Sequence, residues 1–159
     1  MINVLKVKPG ESIAIVGVGA VGLAALMGAK ISQARTIIAI DIYESRLELS
    51  RSLGATHTIL SSRETDLNKE IRTICEDGVD YAIDCTGVPK IVESMIDGLG
   101  VQGKCVTIGS PGQGQKVSIN IFDHLVNGRS YVGTHQGDSN SVEVSPFSVL
   151  QLTFSLFHI

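Results

Sequence analysis

A strand, a glycine-spaced turn and a helix can be read in succession from residues 13–32, and that succession leaves few folds open. Ile13-Ala14-Ile15-Val16 is too short for a buried helix and rich in β-branched residues, so it reads as a strand. Gly17-Val18-Gly19-Ala20-Val21-Gly22 follows directly, and residues 20–32 carry Ala, Leu and Met at helical spacing. A GxGxxG string alone says little in a chain with 17 glycines. Placed between a strand and a helix, each glycine acquires a physical reason. Gly17 permits the tight turn. Gly19 removes the Cβ that would collide with a pyrophosphate, and Gly22 lets the helix lie close on the strand. The helix N-terminus then offers free amides and the positive end of its dipole to phosphate. The competing reading is that the glycines serve only the strand–helix turn.

A second element agrees with phosphate binding. Thr36-Ile37-Ile38-Ala39-Ile40 reads as another strand, closed by Asp41 about twenty residues beyond the glycines. A carboxylate there accepts both hydroxyl hydrogens of an adenosine ribose and repels a 2′-phosphate. Ile42 and Tyr43, rather than an arginine, follow it. The cofactor reading is therefore NAD over NADP. Arg46 is placed to hydrogen-bond the ribose, or simply to face water.

The remaining chain repeats the alternation. Strands are expected at residues 58–60, 79–84, 104–108 and 131–134, with a short one at 117–121. Helices are expected at 44–53, capped by Gly54, at 67–75, from Pro89 to about residue 99, and briefly at 121–126. Strands separated by roughly ten-residue helices require crossover connections, hence a parallel sheet with helices on both faces. The expected fold is α/β: a doubly wound, three-layer dinucleotide-binding (Rossmann) arrangement of two β-α-β-α-β halves. Cys85-Thr86-Gly87 and Ile108-Gly109-Ser110 close two of these strands at the carboxyl ends, where such folds bind ligands. Asp84 reads as a turn-capping residue, and the four histidines have no partner at triad or metal spacing. No GxSxG elbow supports nucleophilic hydrolysis.

Composition removes several other classes. A net charge of −3 with 13 scattered Lys and Arg gives no nucleic-acid surface. No apolar stretch reaches the ~18 residues of a membrane span. Cys75, Cys85 and Cys105 are odd in number and widely spaced, which fits reduced thiols in a cytoplasmic protein and no zinc site built by this chain. With 159 residues, the chain suits one domain. Residues 11–140 form it, with 1–10 before it and a divergent tail at 141–159.

Several motifs together resemble the nucleotide-binding domain of the zinc-dependent medium-chain alcohol dehydrogenases. They are Pro9-Gly10-Glu11 leading into Gly17 to Gly22, Ile40-Asp41-Ile42, Leu53-Gly54-Ala55-Thr56, Asp80-Tyr81-Ala82-Ile83-Asp84-Cys85-Thr86-Gly87, Gly103-Lys104-Cys105-Val106-Thr107-Ile108-Gly109 and Gly128-Arg129-Ser130-Tyr131-Val132-Gly133. Cys-Thr-Gly and the Gly-Asp-Ser at Gly137 to Ser139 resemble the aryl-alcohol dehydrogenase branch most. The resemblance implies that Gly17, Gly19, Ala20 and Gly22 hold the pyrophosphate, with Val21 behind the nicotinamide. It implies that Asp41 and Arg46 bind the adenosine ribose and that Ile42 lines the adenine slot. Cys85, Thr86, Ile108, Gly109 and, less securely, Thr134 would bound the cofactor cleft. It also implies a homodimer paired through an edge strand near residues 117–120, and makes residues 1–10 the remnant of a connecting helix.

In that family the catalytic zinc ligands and proton relay precede this segment. The expectation is an NAD-binding part of a longer oxidoreductase, inactive alone in hydride transfer between alcohol and NAD. Two other readings stand beside it: a non-catalytic NAD-sensing or dimerisation module, and a different nucleotide-fold enzyme such as a methyltransferase or epimerase.

Overall fold

The computed structural model describes residues 4–135. Its strands are β1 (Ser12–Val16), β2 (Thr36–Asp41), β3 (His57–Leu60), β4 (Val79–Asp84), β5 (Leu99–Thr107) and β6 (Ser130–Gly133). The helices between them are α1 (Ala20–Ile31), α2 (Glu44–Leu53), α3 (Leu67–Ile74), α4 (Pro89–Asp97) and α5 (Ile121–Val126). The six strands form one sheet in the order β3-β2-β1-β4-β5-β6, and every pairing is parallel. This is the doubly wound order: the chain steps outward from β1 through β2 to β3, then returns past β1 to continue with β4.

Strand alternation separates two cores. Ala14, Val16, Ile38, Ile40 and Ala82 face one side, packing with Leu67 and Ile71 of α3 and Val92 and Met95 of α4. Ile13, Ile15, Ile37, Ala39 and Ile83 face the other, packing with Leu26 and Ala29 of α1 and Leu47 of α2. A strand buried on both faces needs apolar residues at every position, which is why β1 and β2 are nearly continuous aliphatic runs. At the amino end of the sheet, the Ser12 hydroxyl donates to Asp80 Oδ2 at 2.6 Å and accepts from the Asp80 amide at 3.0 Å, fastening β1 to β4.

Three local expectations are corrected. β5 begins at Leu99, five residues before the expected strand, and α4 correspondingly stops at Asp97. The intervening Gly100, Val101, Gln102 and Gly103 have two glycines and carry no strand signal of their own. Leu99 is nonetheless fully buried and pairs with Val79, and a register shift between Val79 and Tyr81 takes up the extra residues. Residues 117–120 are not a strand among the described residues. The amide of Ser118 is taken by Glu93 Oε1 at 2.8 Å, and Val117 and Ile119 lean on the core. Residues 4–10, expected as a helix remnant, run through turns at 4–5 and 9–10. Lys6 (φ 55°) and Pro9 stop a helix there, while Leu5 and Val7 are buried. The tail at 141–159, with His158, lies outside the described residues, as does the Gly-Asp-Ser at Gly137 to Ser139.

Candidate functional site at the strand carboxyl ends

The sheet order reverses between β1 and β4, so a crevice opens above their carboxyl ends. Gly17 leaves β1 at φ +82°, a left-handed conformation that glycine adopts without strain. A Cβ on Gly22 would sit 2.2 Å from the Gly17 carbonyl oxygen, so α1 can approach the turn only because that atom is missing. Around Gly19 the position of a Cβ is open, with nothing within 4 Å. Gly19 is also the N-cap of α1. No side chain caps that end and no acidic residue stands in the first turn, which leaves the leading amides of Ala20, Val21 and Gly22 facing the crevice without an acceptor. Ala20 and Val21 are exposed there.

Asp41 ends β2 beside this turn and is only 5% exposed. Its Oδ2 accepts the Val18 amide at 2.9 Å and its Oδ1 the Tyr43 amide at 3.1 Å. Arg46 reaches Oδ2 at 3.4 Å and stacks on the Tyr43 ring, 4.8 Å from its centroid. The acid is therefore held by main-chain donors on the rim of the crevice, with a loosely attached cation in front of it. Ile42 is exposed next to it. The sequence reading placed Asp41 and Arg46 here but did not foresee the amide of Val18 or the ring of Tyr43. The Tyr43 amide on Oδ1 is legible in sequence, because an aspartate at a strand end commonly takes the amide two residues on.

Across the crevice, Asp84 is fully buried. Its Oδ1 accepts the Thr86 amide at 2.8 Å and the Thr86 hydroxyl at 2.6 Å, and its Oδ2 accepts the Gly87 amide at 3.1 Å. The turn-capping role expected for it is the one observed. Cys85, Thr86, Ile108 and Gly109 are half-buried along this side. Burial, and secondarily the charge of Asp84, pushes the Cys85 thiol up to about 12, which makes it a wall residue rather than a nucleophile. Thr134 follows β6; its amide donates to the Thr107 carbonyl at 3.2 Å, and its buried hydroxyl has no partner among the described residues. The glycine turn, Asp41, Asp84 and the Thr86 and Ile108 loops thus come together at one edge. His57 opens β3 and His124 lies in α5.

A doubly wound parallel sheet with an uncapped helix N-terminus and a strand-end acid at its switch point defines the class: a nucleotide-binding α/β domain. The family described as zinc-binding dehydrogenase matches residues 20–149, and the chain belongs to it. A class-3 alcohol dehydrogenase from Myxine glutinosa is 36% identical over 150 residues, 91% of this chain and 39% of that protein. Among solved structures, a benzyl alcohol dehydrogenase from Acinetobacter calcoaceticus superposes with a TM-score of 0.92 at 39% identity, covering 99% of this chain and 43% of its own. An alcohol dehydrogenase zinc-binding domain protein from Burkholderia ambifaria is 45% identical with a TM-score of 0.83, over 87% of this chain and 37% of its own. The chain therefore spans about two fifths of the length of the relatives it matches.

Proposed function

We propose that this chain is the NAD-binding part of a zinc-type medium-chain alcohol dehydrogenase, of the aryl-alcohol branch, and that it binds cofactor without oxidising alcohol by itself. The observation that carries the reading is the pairing of an open Gly19 at the uncapped end of α1 with a buried Asp41 on the adjoining strand. In this reading the amides of Ala20, Val21 and Gly22 hold the diphosphate, Gly19 lets it approach, and Gly17 shapes the turn. Asp41 takes the ribose hydroxyls, with Arg46 beside it and Ile42 against the adenine. Val21, Cys85, Thr86, Ile108, Gly109 and Thr134 bound the nicotinamide half. Bound NAD supplies a hydride acceptor there; the chain's own residues bind and orient.

The zinc that the resemblance attaches to the complete enzyme does not fit these residues. Among the described residues no group of three or more His, Cys, Asp or Glu comes together, so no step is derived through a metal here. The homodimer reading loses the strand expected for it at residues 117–120, and its support is the exposed apolar face of the adjoining α5, where Ile121, Phe122 and Leu125 are 81%, 70% and 75% exposed. Unpaired thiols at Cys75, Cys85 and Cys105 suit a cytoplasmic setting, and no described helix is long and apolar enough to cross a membrane.

A thermal-shift titration tests the cofactor assignment. NAD stabilises the unmodified chain and NADP stabilises it less, because a 2′-phosphate meets a carboxylate. Asp41→Ala removes most of that difference. Equal stabilisation by both cofactors, or by neither, would overturn the reading.

A further inference from the structure

Asp84 does more than finish a turn, because two loops of the crevice meet on it and the glycine turn lies against its partner Thr86. Its carboxylate fixes both the amide and the hydroxyl of Thr86 and the amide of Gly87. Its backbone carbonyl accepts the amides of Ile108 and Gly109 at 2.9 and 3.1 Å, which ties in the loop after β5. The Thr86 side chain in turn lies against the glycine turn: a Cβ on Gly17 would come within 2.9 Å of the Thr86 methyl. Behind Thr86 the loops interlock at main-chain distance. A Cβ on Gly109 would meet the Gly87 nitrogen at 2.3 Å, and one on Gly87 would meet the Pro111 nitrogen at 2.7 Å. Every contact to the carboxylate oxygens comes from a donor.

These contacts sit on the β4–β5 side of the switch point, whereas the glycine turn and Asp41 occupy the β1–β2 side. A dinucleotide laid across such a crevice divides between the two sides. Resting on the dinucleotide reading above, we propose that Asp84 is a positioning residue for the nicotinamide half: it holds Thr86 and the Ile108–Gly109 backbone as a fixed wall, and acts on the cofactor only through them. The adenosine half, bound on the far side, is independent of it.

The test is isothermal titration of the 159-residue chain and of Asp84→Asn with NAD and with ADP. ADP carries the adenosine and the diphosphate but not the nicotinamide riboside. An amide at residue 84 keeps the shape but presents an NH2 where an acceptor was, so at least one charge-assisted bond to Thr86 or Gly87 is lost. The Kd for NAD is expected to rise about tenfold, the size of one such bond, with the Kd for ADP moving less than about twofold. Equal weakening of both, or no change in either, overturns the positioning role while leaving the cofactor reading intact. An unmodified chain that binds neither overturns both. If circular dichroism shows Asp84→Asn unfolded, Thr86→Val takes its place. It keeps a methyl against Gly17, loses the hydroxyl donation to Asp84 together with the acceptor of the Val88 amide, and is expected to shift the NAD-to-ADP affinity ratio in the same direction.

Discussion

Gly19 and Gly22 are three residues apart in one motif, yet alanine at each should fail in a different way. At Gly22 the new Cβ falls 2.2 Å from the Gly17 carbonyl oxygen and 3.0 Å from its carbon, both backbone atoms that cannot rotate aside. Either α1 or the turn must give by most of an ångström. Overpacking of that kind costs roughly 1–3 kcal/mol. The gain from replacing glycine within a helix is about 0.5–1 kcal/mol, so the clash wins. The net of roughly 0.5–2 kcal/mol should lower the melting temperature of a chain of this size by roughly 1–8 °C, and NAD binding should be lost with it because the turn itself moves.

Gly19 has φ −75° and ψ −161°, values that alanine adopts freely, and open space where its Cβ would go. Gly19→Ala should therefore leave the melting temperature within about 2 °C, since N-cap preference and chain entropy oppose each other at the level of a few tenths of a kcal/mol. It should nevertheless weaken NAD at least about tenfold, because the methyl occupies the approach of the diphosphate. Differential scanning fluorimetry and calorimetric titration separate the two effects. A Gly19→Ala chain that binds NAD as the unmodified one does would refute the placement of the diphosphate. A Gly22→Ala chain of undiminished stability would refute the packing argument.

Stability should also fall in alkali. Burial first, then the charge of Asp84, raises the thiols of Cys85 and Cys105 from 9.0 to about 12. The folded state thus favours the neutral thiols, and the stabilisation is complete below about pH 9 and lost as the pH climbs towards 12. Melting temperatures across pH 8–12 should be level and then descend, and Cys105→Ala should flatten the descent; an unchanged slope would count against these thiols as its source. Sedimentation should give twice the 16.9 kDa of one chain, and Leu125→Asp on the exposed face of α5 should return it to a monomer. A concentrated unmodified chain that stays monomeric would remove the dimer reading.

The strands legible in the sequence are those whose burial on both faces demands unbroken aliphatic runs. β1 and β2 stand where residues 13–16 and 36–40 indicate, and β4, whose Asp80 is exposed and Tyr81 half-buried, stands at 79–84 on a shorter apolar signal. The helices flanked by glycine or proline were equally clear, with Gly54 capping α2 and Pro89 opening α4. What escaped depends on partners distant in the chain. The first half of β5 is a glycine-broken stretch whose pairing is decided by Val79, some twenty residues earlier. Residues 117–120 alternate like a strand, but a strand needs a ladder, and Glu93 takes the Ser118 amide instead.

The two acids of the site show the same limit more sharply. Asp41 and Asp84 each close a buried strand, are each followed by a small loop, and read alike from composition. Their difference lies in which donors surround them. Asp84 has both carboxylate oxygens engaged by Thr86 and Gly87 and no exposed surface, so a ligand cannot reach it. Asp41 gives one oxygen to each of two amides, and its remaining partner is Arg46 at a long 3.4 Å on a half-exposed side chain, a contact too weak to hold against a better donor. A pair of ribose hydroxyls can displace that arginine at little cost; nothing comparable is displaceable around Asp84. One carboxylate is thus free to act on a ligand and the other only on the walls that face it; the spacing of Asp41 from the glycines and the turn residues after Asp84 point to that division, but not to the donors that enforce it.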